Sequence, residues 1–202
     1  MITILLVDDH ALVRRGFRRL IEDEADLQVI GEAGDGLEAV TLAASLKPQV
    51  IVMDYALPGI NGVLATRQIL AARPDAAILI LSMHTEPQYV ENSIDAGARG
   101  YLMKNALDLE LVDAIRRLAK GESLIDPKLV PEDGKRRGLT TRELEVLQHI
   151  VAGRSNKEIA YELALSVHTI AVHRAHIMDQ LGLHNAAELV AYAIRNGLVT
   201  NT

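Results

Sequence analysis

The chain has no cysteine, which excludes disulfides and thiolate metal sites. It also has no excess of basic charge. Lys and Arg number 21 against 27 Asp and Glu, giving a net charge of −6 over 202 residues, so the chain as a whole is not a polybasic nucleic-acid binder. No apolar run approaches the ~18–20 residues that span a bilayer, and no membrane partner is expected. The opening Met1-Ile2-Thr3-Ile4-Leu5-Leu6-Val7 lacks a basic leader and a small-residue cleavage site, so a cytoplasmic location is expected. There is no repeat of roughly 20–50 residues and no low-complexity tract. What remains is an ordinary globular composition, 49% hydrophobic and 24% charged, with room for one or two domains.

The first half is organised around Ile51-Val52-Met53-Asp54-Tyr55-Ala56-Leu57-Pro58-Gly59. Val50 to Met53 is continuously apolar and bounded by breakers, which reads as a strand buried on both faces. Asp54 then sits at its carboxyl end, where ligands bind in open α/β sheets. Similar short strands are expected at Ile2–Val7, Gln28–Ala33, Ala77–Leu81 and Gly100–Met103. Helices are expected between and after them: a stripe of Leu12, Phe17, Leu20 and Ile21 with Arg14, Arg15, Arg18 and Arg19 in water, then Leu37–Leu46, a helix capped by Asn61, Pro87–Ala96 and Leu107–Ala119. Asp35 and Glu38 have capping-box spacing. Alternation at this period predicts an α/β fold with a parallel sheet and helices on both faces.

The polar residues fall at matching ends of these strands: Asp8-Asp9 after the first, Asp54 after the third, Ser82 after the fourth, Lys104 after the fifth. Three carboxylates in one place raise each other's pKa unless a cation intervenes. An all-oxygen cluster of this kind suits Mg²⁺. Mg²⁺, Lys104 and the Ser82 hydroxyl together match the oxygens of a phosphoryl group. Asp54 is assigned as the nucleophilic carboxylate that becomes an aspartyl phosphate, because adjacent Asp8 and Asp9 are better placed to hold metal. The glycine order in Gly31-Glu32-Ala33-Gly34-Asp35-Gly36 is wrong for a dinucleotide site.

With Asp8-Asp9, Asp54, Pro58-Gly59, Ser82 and Tyr101-Leu102-Met103-Lys104 in view, residues 1–120 resemble the receiver domain of bacterial response regulators. The resemblance implies a flavodoxin-like (βα)5 fold. It implies that Asp54 is the phosphoacceptor and that Asp8, Asp9, Asp54 and the Ala56 carbonyl bind Mg²⁺. It further implies that Ser82 and Lys104 contact the phosphoryl group and that Tyr101 is an aromatic switch. On residues alone, Tyr101 is a strand-edge aromatic. A phosphatase of the aspartyl-phosphate type resembles this pattern less, since it repeats Asp two residues after its nucleophile, where this chain has Ala56.

Residues 121–138, with Pro127, Pro131, Gly134, Gly138 and the basic triplet Lys135-Arg136-Arg137, read as a linker. Beyond it, Thr140 or Thr141 caps a helix running to Ala152, Ser155 caps Asn156–Leu163, Ser166 caps Val167–Leu181 and a last helix spans Ala186–Asn196. Two helices joined by a short turn make either a helix-turn-helix or an ordinary αα corner. Leu139-Thr140-Thr141-Arg142-Glu143-Leu144-Glu145-Val146-Leu147, Ser155-Asn156-Lys157-Glu158-Ile159-Ala160, Ser166, Thr169-Ile170, His173, Ile177 and Leu181-Gly182 resemble the NarL/LuxR-type DNA-binding domain. That places an all-α four-helix domain at 139–202 and makes the whole chain similar to a NarL-type response regulator. The resemblance implies partners: a sensor histidine kinase, double-stranded DNA and a second copy of the chain in a phosphorylated homodimer. It implies DNA contacts from Asn156, Lys157, His168, Thr169, Ala171, Val172, His173, Arg174 and Ala175. Dimer contacts would come from Ala187, Val190, Ala191 and Ile194.

One feature departs from that family. His168, Ala171, Val172 and Ala175 are spaced to share one helical face, and none is Lys or Arg. Residues 139–202 hold five basic and six acidic side chains, where a basic footprint is usual. Ala and Val can read thymine methyls, with phosphate contacts from Arg142, Lys157, Arg174 and the linker triplet. The alternative is a phosphorylation-gated protein adaptor that no longer reads DNA. Five of the seven histidines (His149, His168, His173, His176 and His184) lie here, so mild acid would make the domain more cationic. The expected role is regulation of transcription, not enzymatic turnover.

Overall fold

The computed structural model describes residues 1–105, 108–125, 139–183 and 185–195. The chain divides into two compact units, with the division between residues 136 and 137. The basic triplet Lys135-Arg136-Arg137 and His184 lie outside the described residues.

In the first unit, five strands, β1 (Ile2–Val7), β2 (Leu27–Ala33), β3 (Val50–Asp54), β4 (Ala77–Ser82) and β5 (Gly100–Met103), pair in parallel in the order β2-β1-β3-β4-β5. Helices α1 (Ala11–Glu22), α2 (Gly36–Leu46), α3 (Gly62–Ala72), α4 (Pro87–Ala96) and α5 (Asp108–Ala119) alternate with them. The central strands are buried on both faces, as their unbroken apolar runs predict. One layer of core joins Ile4, Leu6, Val50, Val52, Leu79 and Leu81 of the sheet to Ile21 of α1 and Leu111, Ile115 and Leu118 of α5.

Local chemistry sets the boundaries. Asn61 caps α3 by accepting from the Leu64 N–H at 2.9 Å, and Gly97, at φ 97°, ends α4 in the left-handed region. Three expectations need correcting. Leu12 is not part of the buried stripe of α1. It is 78% exposed, and the buried anchor is Ile21. Arg14 is not in open water, because its Nε donates to Glu32 on β2 and its guanidinium also donates to the Asp8 carbonyl oxygen. The Asp35–Glu38 pair is only half a capping box. Asp35 accepts from the Glu38 N–H, but the Glu38 carboxylate reaches past the cap to the Gly34 N–H.

The second unit is helical: α6 (Thr141–Val151), α7 (Asn156–Glu162), α8 (Val167–Leu181) and α9 (Ala186–Arg195). Complete capping boxes start α6 (Thr140 with Glu143) and α7 (Ser155 with Glu158), and the Ser166 side chain starts α8. Leu144, Val146, Leu147, Ile159, Ile170, Ile177, Leu189 and Ala193 form the buried interior. Ala160 and Leu165 close the α7–α8 turn through a Leu165 N–H to Ala160 O bond of 2.8 Å.

Candidate functional site

The carboxyl edge of the sheet gathers the polar strand ends. Asp54 is the last residue of β3, 2% exposed. Asp8 follows β1 and is equally buried. Lys104 follows β5 and reaches both, with its Nζ 2.7 Å from Asp54 Oδ2 and 2.8 Å from Asp8 Oδ2. The remaining Asp54 oxygen accepts from the Ala56 N–H at 3.1 Å. The loop after β3 is drawn tight by a 2.9 Å bond from the Gly62 N–H to the Tyr55 carbonyl oxygen. A Cβ at Gly62 would stand 2.2 Å from the Asp54 carbonyl oxygen, so this position accepts glycine alone.

The charges do not balance. One ammonium bridges Asp8 and Asp54, while Asp9 adds a third carboxylate to the same cluster. Burial pushes the Asp54 carboxyl above the usual carboxylate range. The Asp8 charge adds to that rise, while Lys104 and the Ala56 N–H oppose it. Burial pulls the Lys104 ammonium down, but its hydrogen bonds to Asp54 and Asp8 outweigh this and hold it above its ordinary value. Uncompensated negative charge and clustered oxygen donors fit a hard divalent cation. One ligand atom from each of Asp8, Asp9, His10 and Asp54 lies within 4.8 Å of the others. His10 was not anticipated, although its place directly after Asp8-Asp9 was a signal.

Ser82 closes β4 at the same edge, buried, and its Oγ accepts from the His84 N–H at 3.1 Å. The Tyr101 hydroxyl donates to the His84 carbonyl oxygen at 2.7 Å. The His84 ring stacks on Tyr89 of α4 at 4.0 Å and 6°, and Tyr89 meets Tyr55 edge-on at 5.1 Å. Ser82 and Tyr101 are thus joined through the backbone of one residue. Sequence reasoning did not find His84, Tyr89 or Tyr55, because aromatic packing across three elements leaves no periodic trace.

In the helical unit, His168, Ala171, Val172 and Ala175 are all exposed on one face of α8. Thr169, His173 and Arg174 are half-buried, and the Thr169 N–H donates to Ser166 Oγ. On α7, Asn156 is half-buried and Lys157 exposed. Arg142 does not project freely. Its two terminal nitrogens donate to Glu145 and to the Leu163 carbonyl oxygen, both at 2.7 Å. His176 pairs with the buried Glu143, and His149 Nδ1 lies 2.9 Å from Glu162. On α9, Ala187, Ala191 and Ile194 are exposed and Val190 half-buried.

Comparison with known proteins agrees with both halves. Residues 4–116 match the response regulator receiver domain, and residues 137–193 match the bacterial regulatory proteins of the luxR family. The oxygen regulatory protein NreC of Staphylococcus carnosus is 39% identical, with 97% of this chain and 98% of NreC covered. A LuxR-family two-component response regulator from Aurantimonas sp. is 41% identical over 63% of this chain and 91% of its own, with a TM-score of 0.59. RcsB from Salmonella enterica serovar Typhimurium, bound to promoter rprA in the presence of phosphomimetic BeF3⁻, is 26% identical, with 95% and 98% covered and a TM-score of 0.65. A five-stranded parallel receiver followed by a helix-turn-helix unit defines a two-component response regulator. Within that class, the chain belongs to the NarL/NreC type, whose LuxR-type output domain regulates transcription. Among the described residues, no helix is long and apolar enough to cross a membrane.

Proposed function

We propose that Asp54 is the phosphoacceptor of a cytoplasmic transcription regulator and that its phosphorylation switches dimerisation and DNA binding. The observation that carries this reading is Lys104 Nζ spanning Asp54 and Asp8 beneath an under-neutralised carboxylate cluster. An Asp54 oxygen attacks the phosphorus of a phosphohistidine on the partner kinase. The P–N bond breaks, a P–O bond forms, and the departing imidazole takes up a proton. Asp8, Asp9, Asp54 and the Ala56 carbonyl would hold Mg²⁺, which supplies charge neutralisation on the phosphoryl oxygens. Lys104, released from one carboxylate, turns to the new phosphoryl group, whose charge of about −1.5 to −2 draws Ser82 Oγ inward. Ser82 then gives up the His84 N–H, and the Tyr101–His84 bond is free to break. The β4–α4 surface shifts between two states, and that shift releases or pairs the output units.

In DNA recognition, α7 is the supporting helix and α8 the reading helix. Asn156, Lys157, Thr169, His173 and Arg174 position α8 on the backbone, and His168, Ala171, Val172 and Ala175 face the bases, with apolar contacts suited to thymine methyls. The α9 stripe of exposed Ala187, Ala191 and Ile194 with half-buried Val190 pairs two copies, and the dimer reads two half-sites of matching symmetry. The segment 121–138 is the interdomain linker, between a receiver at 1–120 and a DNA-binding domain at 139–202.

The test is selection from a random DNA pool by the full-length chain with Mg²⁺ and beryllofluoride, against Asp54→Ala treated identically. An inverted repeat enriched by the wild type alone is the expected result. Enrichment by both keeps DNA reading but removes Asp54 from the switch. If neither enriches a motif, DNA reading is overturned in favour of the adaptor.

A further inference from the structure

His10 stands at the acidic pocket with no part in the reading above. It is the N-cap residue of α1, yet its side chain makes no capping hydrogen bond, where Ser, Thr, Asp or Asn normally would. Its backbone N–H donates to Asp8 Oδ1 at 2.8 Å, which keeps the residue beside that carboxylate. The ring follows, with Nδ1 at 2.6 Å from Asp9 Oδ1 and 3.7 Å from Asp8 Oδ1. The 2.6 Å contact is a direct His10–Asp9 interaction that holds the imidazole nitrogen beside the carboxylates, where a dication would take the place of the proton between them. His10 is 69% exposed, so the ring can adjust without disturbing a packed core.

The donor set therefore differs from a pure carboxylate pocket. Carboxylates suit Mg²⁺, whereas an imidazole nitrogen favours borderline transition-metal dications, whose affinity for mixed N,O sites also exceeds that of Mg²⁺. We propose that His10, together with Asp8 and Asp9, lets the pocket bind a borderline dication of the Zn²⁺, Ni²⁺ or Cu²⁺ class in competition with Mg²⁺. Such an ion occupies the place next to Asp54 and makes the regulator responsive to transition-metal level. The competition rests on the reading of this pocket as the Mg²⁺ site, but the His10-dependent affinity does not.

The experiment measures Zn²⁺ and Mg²⁺ binding separately, by equilibrium dialysis of full-length protein at fixed pH 7.5, in the wild type, His10→Gln and His168→Gln. Co²⁺ replaces Zn²⁺ in a parallel series read by visible absorption, which reports nitrogen ligation directly. His10→Gln is expected to weaken the tightest Zn²⁺ site at least tenfold, to change the cobalt spectrum and to leave Mg²⁺ affinity within twofold. His168→Gln should change neither, and excess Mg²⁺ should displace Zn²⁺ from the wild type. Unchanged Zn²⁺ affinity and cobalt spectrum in His10→Gln overturn the proposal. His10-dependent Zn²⁺ that Mg²⁺ does not displace overturns the shared pocket. If the wild type binds Zn²⁺ through His10 but no Mg²⁺, the failure belongs to the Mg²⁺ reading. Far-UV circular dichroism of each variant separates these outcomes from misfolding.

Discussion

Asp54 is 2% exposed and every polar atom of its carboxylate is engaged, whereas Val172 on α8 is 53% exposed. The two surfaces serve one regulator but are specified differently. The pocket is assembled by its own chain: β1, β3, β4 and β5 each deliver a side chain to one edge, where Lys104 offsets part of the carboxylate charge. In the proposed reading, the α8 face is completed only by DNA. Its residues are held in place by the Ser166 cap and the buried Ile170 and Ile177 behind them, while the face itself is small and uncharged. Substitutions in the pocket should therefore act through loss of function or fold. Substitutions on the output surface should act in graded steps on affinity.

The largest effect expected is at Lys104. Lys104→Ala removes the ammonium that both buried carboxylates share, and loss of a preorganised charge donor commonly costs about 10²–10³ in rate. Mg²⁺ should still bind, while phosphorylation-dependent DNA binding falls by at least about tenfold. Metal titration followed by a DNA-shift assay checks both halves. An unchanged response would remove Lys104 from the mechanism and break the comparison at its strongest point.

Gly62→Ala comes next. The added Cβ meets backbone on two sides, the Asp54 carbonyl oxygen at 2.2 Å and Tyr55 Cα at 3.1 Å. Neither can yield as a side chain would, so a loss of about 2–3 kcal/mol is expected in chemical denaturation. Gly16→Ala is the matched control, since a Cβ there meets nothing within 4 Å. On helix propensity it should stabilise α1 by up to about 1 kcal/mol.

Asp54→Asn tests the electrostatic cost of the pocket. The folded-state pKa of Asp54 is raised, first by burial and then by Asp8. A raised acid contributes stability below its unfolded pKa and loses it as pH rises through the folded value. At neutral pH the ionised carboxylate therefore weakens the fold, and the amide should be more stable by about 0.5–2 kcal/mol without divalent cation. Adding Mg²⁺ should narrow the difference, because it binds the wild type better. Thermal melts at pH 7, with and without Mg²⁺, measure this. A less stable Asp54→Asn would mean that Lys104 already compensates the charge fully.

On the output side, Lys157→Ala should lower DNA affinity by about 1 kcal/mol and reduce the salt slope by about one, uniformly across sequences. Val172→Ala should weaken binding chiefly to sites with thymine at the contacted step. Equal loss on all sequences for Val172→Ala would place it outside base readout. Titration of both variants against matched and scrambled sites at two salt concentrations separates the cases.

The same contrast explains what could be read from the residues alone. Strands β1, β3 and β4 were legible because central parallel strands are unbroken apolar runs, and Asp8, Asp54, Ser82 and Lys104 were legible because each ends such a run. Ser166 to Gly182 was legible because Ser and Gly mark both ends of α8. The errors came where spacing does not decide contact. Leu12 has the right spacing for a buried stripe, but it lies in the first turn of α1 and remains in water. Arg14 and Arg142 look like free surface cations, yet Arg14 is tied to Glu32 and the Asp8 carbonyl oxygen, and Arg142 to Glu145 one turn along its own helix and to the Leu163 carbonyl oxygen that folding brings near. His10 and the His84–Tyr89 stack depend on three-dimensional proximity that no periodicity records.

The smallest effect expected lies in the turn that sets α8. Leu163, Ala164 and Leu165 close α7 with paired bonds, Leu165 N–H to Ala160 O at 2.8 Å and Ala164 N–H to Tyr161 O at 3.3 Å. This is the Schellman arrangement, whose left-handed position is usually glycine. Ala164 occupies it at φ 52°, at a steric cost of about 1 kcal/mol. Ala164→Gly removes that cost but returns part of it as chain entropy in the unfolded state, leaving a net gain of about 0.5 kcal/mol. Chemical denaturation of the helical unit's transition measures it. If stability rises while DNA affinity is unchanged, the strain is incidental and the output unit resembles the pocket only in tolerating a local cost. If affinity falls as stability rises, the strained Ala164 is what holds α8 at its reading angle. The output surface would then depend on internal geometry as the Asp54 pocket does, and the contrast between the two regions would narrow to the identity of their partners.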